Sequence, residues 1–181
     1  MRLLLVVDVQ NDFCPGGALP VPKGDEVVPV INDVMSEFDL IAASQDWHPE
    51  DSVHFDDWPP HCVKNTKGAE LHSDLRVDRI DHFFRKGISR DTHGYSVFDA
   101  ENRDFNQFLQ ENNISDIYIT GLATEYCVLQ TSLAAVDYGY NVYLIEEAVS
   151  GIDPEDVKQA KEKMREKGVE IISKKNVDFS T

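Results

Sequence analysis

The chain holds 181 residues, 41% hydrophobic and 28% charged, with a formal net charge of −16 at pH 7. That length and composition suit one soluble domain, residues 1–181, with a core of its own. The excess of acid argues against nucleic acid or an anionic membrane as partner, since both require basic surface.

Residues 3–9 form an apolar run interrupted by Asp8. It is too short to cross a bilayer or to act as a signal peptide, and it reads as a first strand buried on both faces. A loop with Pro15, Gly16 and Gly17 follows. Residues 25–38 place Val27, Val30, Ile31, Val34, Met35 and Phe38 near helical spacing, with Pro29 in the first turns. Residues 40–44 read as a second strand. The long polar stretch 45–75 is rich in histidine and aromatic residues, which favours a functional loop.

Residues 81–85 read as a third strand, ending at Lys86-Gly87. Residues 105–111 are helical, 116–120 a fourth strand, 124–138 the next helix and 141–145 a fifth strand. A charged helix over 155–167 has Asp153 as N-cap and Gly168 as its stop, and 169–172 is a sixth strand. This alternation predicts an α/β class: a three-layer α/β/α, Rossmann-like fold with a six-stranded, mainly parallel sheet. Ligands of such sheets bind beyond the carboxyl ends of the strands. Asp8, Asp46, Lys86 and Cys127 each lie at or near the end of a different strand, so all four can meet at one edge.

Each of these residues has a functional and a structural reading. Cys127 opens the helix after the fourth strand, where backbone N–H groups favour thiolate and can hold an oxyanion. The alternative is an inert buried cysteine. Cys14 and Cys62 lack that setting and read as bystanders. Three cysteines without framework spacing fit a reducing cytoplasm. Asp8 inside an apolar strand needs a partner or a proton, and is either a general base or the cap of a nearby loop. Lys86 is either a solvated lysine or a cation that holds negative charge on Asp8 and Cys127.

Asp46 and His48 are two apart at a strand end and can face one ion, and His54 and His61 add imidazoles. Such a set suits zinc and other transition metals. His72, His82 and His93 stand apart and read as structural or exposed. Phe13 and Trp58 lie in loops, as packing plugs or as walls of a pocket for a flat ligand.

Five stretches together carry a family likeness: Val6-Val7-Asp8-Val9-Gln10-Asn11-Asp12-Phe13, Asp46-Trp47-His48-Pro49, Trp58-Pro59-Pro60-His61-Cys62-Val63, Lys86-Gly87 and Gly121-Leu122-Ala123-Thr124-Glu125-Tyr126-Cys127-Val128. The chain resembles the nicotinamidase branch of the isochorismatase-like cysteine hydrolases. The resemblance implies hydrolysis of nicotinamide to nicotinate and ammonia in pyridine-nucleotide salvage, with pyrazinamide as a second substrate. It implies a Cys127–Asp8–Lys86 triad. It also implies a divalent metal, zinc first with iron or manganese as alternatives, on Asp46, His48 and His61. His54 stands where some members have a further ligand and others do not. The Leu122–Ala123 peptide is expected to be cis, with the N–H groups of Ala123 and Cys127 as oxyanion hole. Phe13, Trp58, Tyr95 and Leu122 are the implied substrate-binding residues. Val97 departs from the small residue expected after Tyr95-Ser96. A homo-oligomer is compatible with the resemblance. The rival readings are a relative acting on another small amide or a vinyl ether, and a non-catalytic metal-binding protein of the same fold.

Overall fold

The computed structural model describes residues 1–177. Five of the six side chains of β1 (Arg2–Val7) are buried. The other strands are β2 (Ile41–Asp46), β3 (His82–Lys86), β4 (Asp116–Leu122), β5 (Asn141–Ser150) and β6 (Glu170–Ile172). Their order is β3-β2-β1-β4-β5-β6 and every pairing is parallel. The strand order reverses between β1 and β4, and the crevice at such a switch point is where α/β sheets bind ligands.

The helices are α1 (Val27–Val34), α2 (Phe105–Glu111), α3 (Leu129–Asp137) and α4 (Pro154–Lys167). Alternate side chains of β1 point to opposite faces. Leu4 and Val6 join Val27, Val28 and Ile31 of α1 on one face. Leu3, Leu5 and Val7 join Phe105, Phe108 and Met164 on the other. The result is the expected three-layer α/β/α arrangement. Each fully buried Leu or Val here contributes roughly 1.5–3 kcal/mol of burial free energy.

The ends of the elements differ from the expected ones, and those ends build the site. β1 stops at Val7 because Asp8 takes a left-handed conformation, φ 49°. β2 runs on to Asp46 and β3 to Lys86, so both strands deliver a charged side chain at the carboxyl edge. The expected helix over 25–38 is a 3₁₀ turn, then α1, then a second 3₁₀ turn that Phe38 leaves in extended conformation. The expected helix over 124–138 begins as a π-helical turn, Thr124–Val128, before α3. β5 continues well past 145. Exposed Glu146 and Glu147 hide that extension in the sequence, while Val149 and Ser150 pair with Gly121 and Leu122 after a register shift. Gly121 is required there: its φ is 110°, and a Cβ would lie 2.0 Å from the Val7 carbonyl oxygen.

Candidate active site and adjoining metal cluster

At the carboxyl edge, the N–H of Asp8 donates to Ser44 O at 3.2 Å. Its carboxylate accepts from Ser44 Oγ at 2.8 Å and from Lys86 Nζ at 2.7 Å. Lys86 Nζ also donates to Asp46 Oδ1 at 2.5 Å and to Gly94 O at 2.8 Å, and lies 3.3 Å from Cys127 Sγ. Asp8, Lys86, Asp46 and Cys127 are all buried. An unpaired ammonium in such a place would cost several kcal/mol, so the two carboxylates are what make Lys86 tolerable there.

The charges set one another. Burial would lower the Lys86 ammonium, but Asp46 and Asp8 outweigh it and hold Lys86 well above the ordinary lysine range. Burial would raise Asp46, but the Lys86 ammonium outweighs it and holds Asp46 well below the usual carboxylate range. Burial raises Asp8, with Asp46 adding to the rise and Lys86 opposing it. Burial also pushes the Cys127 thiol well up, with Asp8 and Asp46 adding and Lys86 opposing. Burial and the two carboxylates thus favour the thiol at Cys127 against the pull of the helix start toward thiolate, so attack by the sulfur needs a base to take the proton. Asp8 is the hydrogen-bonded neighbour able to do so.

Cys127 sits in the π-helical turn, a feature found often at functional sites. The Ala123 carbonyl accepts from Tyr126 N–H at 3.0 Å and Val128 N–H at 3.2 Å, and the Cys127 N–H between them is not among its donors. The Leu122–Ala123 peptide is cis. The Glu125 carboxylate accepts from the N–H groups of Ile152 and Asp153 at 2.9–3.0 Å, tying the lead-in of α4 to this turn.

Beside Lys86 lies the second cluster. One ligand-type atom from each of Asp46, His48, His54 and His61 falls within 4.8 Å of the others, and all four residues are buried. His48 Nδ1 faces Gly87 O at 3.1 Å, and His61 Nδ1 faces Pro59 O at 2.7 Å. A carbonyl can only accept, so both Nδ1 atoms carry a proton, and in a neutral ring that leaves the Nε2 lone pair free for an ion. His48 Nε2 is buried without a hydrogen-bond partner among the described residues, 3.4 Å from Asp46 Oδ2. A lone pair aimed at a carboxylate is unfavourable unless a cation lies between them. The His54 imidazole is pushed down to about 3, by burial first and then by His48. Burial also lowers His61. Imidazoles gathered around a carboxylate are a ligand set that fits a divalent cation.

The two clusters share one cleft. Cys127 and Ala123 line one side, and Asp46, His54 and His61 the other. Phe13, Trp58 and Tyr95 form aromatic walls, with Tyr126 and Ile152 beside them. Trp58 Nε1 donates to Tyr95 OH at 3.0 Å, and the Trp58 and Tyr126 rings meet edge to face at 5.0 Å. The side chain of Leu122 is fully buried in the core and does not line the cleft. Asp8, Lys86 and His48 stand behind the lining residues. Cys14 and Cys62 are buried away from the cleft lining.

The model of the Isochorismatase domain matches residues 2–176. The chain belongs to the isochorismatase family. It is 36% identical to the nicotinamidase of Acinetobacter baylyi, over 96% of this chain and 93% of that one. Among solved structures, the pyrazinamidase of Pyrococcus horikoshii in complex with zinc is 44% identical, covering 95% of this chain and 98% of that one, with a TM-score of 0.87. PnC1 from L. infantum in complex with nicotinate is 31% identical, covering 97% and 93%, with a TM-score of 0.92.

Several residues that organise this isochorismatase-family site gave no functional signal in the sequence. Ser44 reads as strand filler yet holds Asp8. Gln10 acts as a surrogate strand partner: its amide accepts from Asp46 N–H and donates to Asp46 O, both at 2.8 Å, and donates to Ala69 O at 2.9 Å. Its place two residues after Asp8 is the one cue available. His93 is exposed, as expected, yet its Nδ1 lies 3.0 Å from His54 Nδ1.

Proposed function

We propose that this chain is a metal-dependent amidohydrolase that converts nicotinamide to nicotinate and ammonia, with pyrazinamide as an alternative substrate. The observation that carries the reading is one narrow cleft with aromatic walls, a buried thiol–carboxylate–ammonium group on one side and a cation-ready Asp/His cluster on the other. The names of the relatives support it. Its three free cysteines support a reducing, cytoplasmic setting.

In the proposed route, Asp8 takes the Cys127 thiol proton as the sulfur attacks the carboxamide carbon. Lys86, 3.3 Å from the sulfur and 2.7 Å from Asp8, balances the negative charge as it moves between them. The N–H groups of Ala123 and Cys127 receive the oxyanion. Asp8 then protonates the amide nitrogen, the C–N bond breaks, ammonia leaves and a thioester to Cys127 remains. Asp8 next takes a proton from water, whose oxygen attacks the thioester carbon. The C–S bond breaks, the Asp8 proton returns to sulfur, and the acid departs as nicotinate, its own proton passing to solvent. Phe13, Trp58 and Tyr95 hold the flat ring, and Asp46, His48, His61 and His54 would hold the metal. When bound, a divalent ion, zinc first with iron or manganese as alternatives, supplies an electrophilic anchor for the pyridine nitrogen.

The test is ammonia release from nicotinamide, pyrazinamide and carbamoyl compounds, and pyruvate release from isochorismate, by the purified, metal-analysed protein. The expected result is turnover of the first two, abolished in Cys127→Ala. Turnover of only the others, or undiminished activity in Cys127→Ala, overturns the reading.

A further inference from the structure

The three imidazoles of the Asp46 cluster are not held alike. His48 and His61 each rest Nδ1 on a backbone carbonyl, Gly87 O and Pro59 O, which can only accept. Their tautomers are fixed by the chain itself. His54 Nδ1 instead faces a side-chain atom that can either accept or donate, Nδ1 of His93, at 3.0 Å. One of the two must donate and the other accept. If His54 accepts, its proton sits on Nε2 and no lone pair is left for an ion. If His54 donates, Nε2 is free to ligate.

His93 is well placed to dictate the outcome. Its ring stacks nearly parallel on Tyr95, with centroids 5.9 Å apart and 7° between planes, and Tyr95 OH is fixed in turn by Trp58. The loop that carries His93 is pinned from outside the cluster. The Glu101 carboxylate accepts from the N–H groups of Ile88 and Ser89 and from Thr92 Oγ1 at 2.8–3.1 Å. Arg90 O accepts from Val53 N–H at 2.9 Å, joining this loop to the 3₁₀ turn Val53–Asp56 that holds His54. The two imidazoles, tilted 67° to each other with centroids 5.3 Å apart, are thus held together by bonds that neither of them makes.

We infer that His93 is a positioning residue for the metal cluster: by accepting at Nδ1 it keeps the His54 proton on Nδ1 and presents His54 Nε2 as the fourth ligand. The inference rests on the reading of His54 as a ligand. It also makes His93 the link between the ion and the aromatic wall, through Tyr95 and Trp58.

The experiment is zinc affinity of the full chain, measured by competition with a chelator, together with the visible spectrum of the cobalt-substituted protein. Four chains are compared with the unchanged one: His93→Asn, His93→Ala, His93→Lys and His54→Ala. Asn carries an acceptor oxygen at the place of Nδ1, whereas Lys can only donate. Partners of metal-bound histidines set affinity by roughly 10–100-fold. The expected order is therefore near-native affinity for His93→Asn, about 10-fold weaker binding for His93→Ala, and the largest loss for His93→Lys, approaching His54→Ala. The cobalt spectrum of His93→Lys should match that of His54→Ala. Equal loss in His93→Asn and His93→Lys would show that the ring acts by packing and overturn the inference. Native affinity in His93→Lys with weakened His54→Ala would overturn it and leave His54 a ligand. Native affinity in His54→Ala would remove the ligand reading itself.

Discussion

Asp8, Asp46 and Lys86 sit at or just past the ends of three neighbouring strands, whereas His48, His54 and His61 lie in a segment whose only regular structure is short turns and one bridge, His48 to Val63. The strand side is fixed by sheet register: Asp46 pairs with Lys86, and Ser44 with Val7 next to Asp8. A one-residue slip of register would move every side chain to the wrong face. The loop side is fixed one hydrogen bond at a time, by Gly87 O, Pro59 O and His93. Chemistry that needs a proton moved between fixed atoms lies on the rigid side. Ligand geometry, which a bound ion itself helps to impose, lies on the adaptable side.

Substitutions on the two sides should therefore fail differently. The largest effect is expected from Cys127→Ala, where kcat should fall by roughly 10^4-fold or more with zinc content unchanged, since the nucleophile is lost and the loop side is untouched. Loss of zinc in that variant, by metal analysis, would show that the two sides are not separable. Asp8→Asn should lower kcat by about 10^2- to 10^4-fold, again with zinc retained. Because Asp8 is raised by burial, it gains its proton at a higher pH than an ordinary carboxylate, and a protonated Asp8 cannot take the thiol proton. The acid limb of kcat/KM should accordingly lie above the usual carboxylate range and be absent from whatever activity Asp8→Asn retains. A limb at or below that range would count against Asp8 as the base.

Lys86→Met leaves Asp8 and Asp46 buried without their cation and should cost about 3–5 kcal/mol in chemical denaturation. A neutral result would mean that the carboxylates find other partners. On the loop side, His61→Ala should weaken zinc binding by about 100-fold, at least the upper end for a ligand's supporting partner, while the melting of the metal-free protein changes little. The smallest effect is expected from Glu125→Ala. It frees the Ile152 wall of the cleft and should raise KM a few-fold, about 1 kcal/mol, with kcat nearly unchanged. An equal fall in kcat would instead place Glu125 among the supports of the Cys127 turn.

The sheet was legible because buried parallel strands must be apolar on both faces, so 3–9, 40–44 and 116–120 stand out in the sequence. Their true ends were not legible. Glu146 and Glu147 interrupt β5 without ending it, and Asp8 leaves β1 through a backbone conformation that no spacing encodes. Phe13 and Trp58 were found because aromatic residues in loops lack a core period to explain them, whereas Tyr95 came only with the family resemblance. Ser44, Gln10 and Gly94 were missed because a serine, a glutamine and a glycine carbonyl look the same in a scaffold as in a site.

The sequence by itself determined which reactive groups are present and that strand ends could gather them. Cys127 opens a helix after a buried strand, Asp8 breaks an apolar run, and Asp46 and His48 share a face. Only the tertiary structure decided their chemical states. Whether Cys127 rests as thiol or thiolate depends on how far water is excluded and how near Asp8, Asp46 and Lys86 come, and burial with two carboxylates outweighs one ammonium. The same holds for His54, whose free nitrogen is set by His93, 39 positions away in the chain and 3.0 Å away in space.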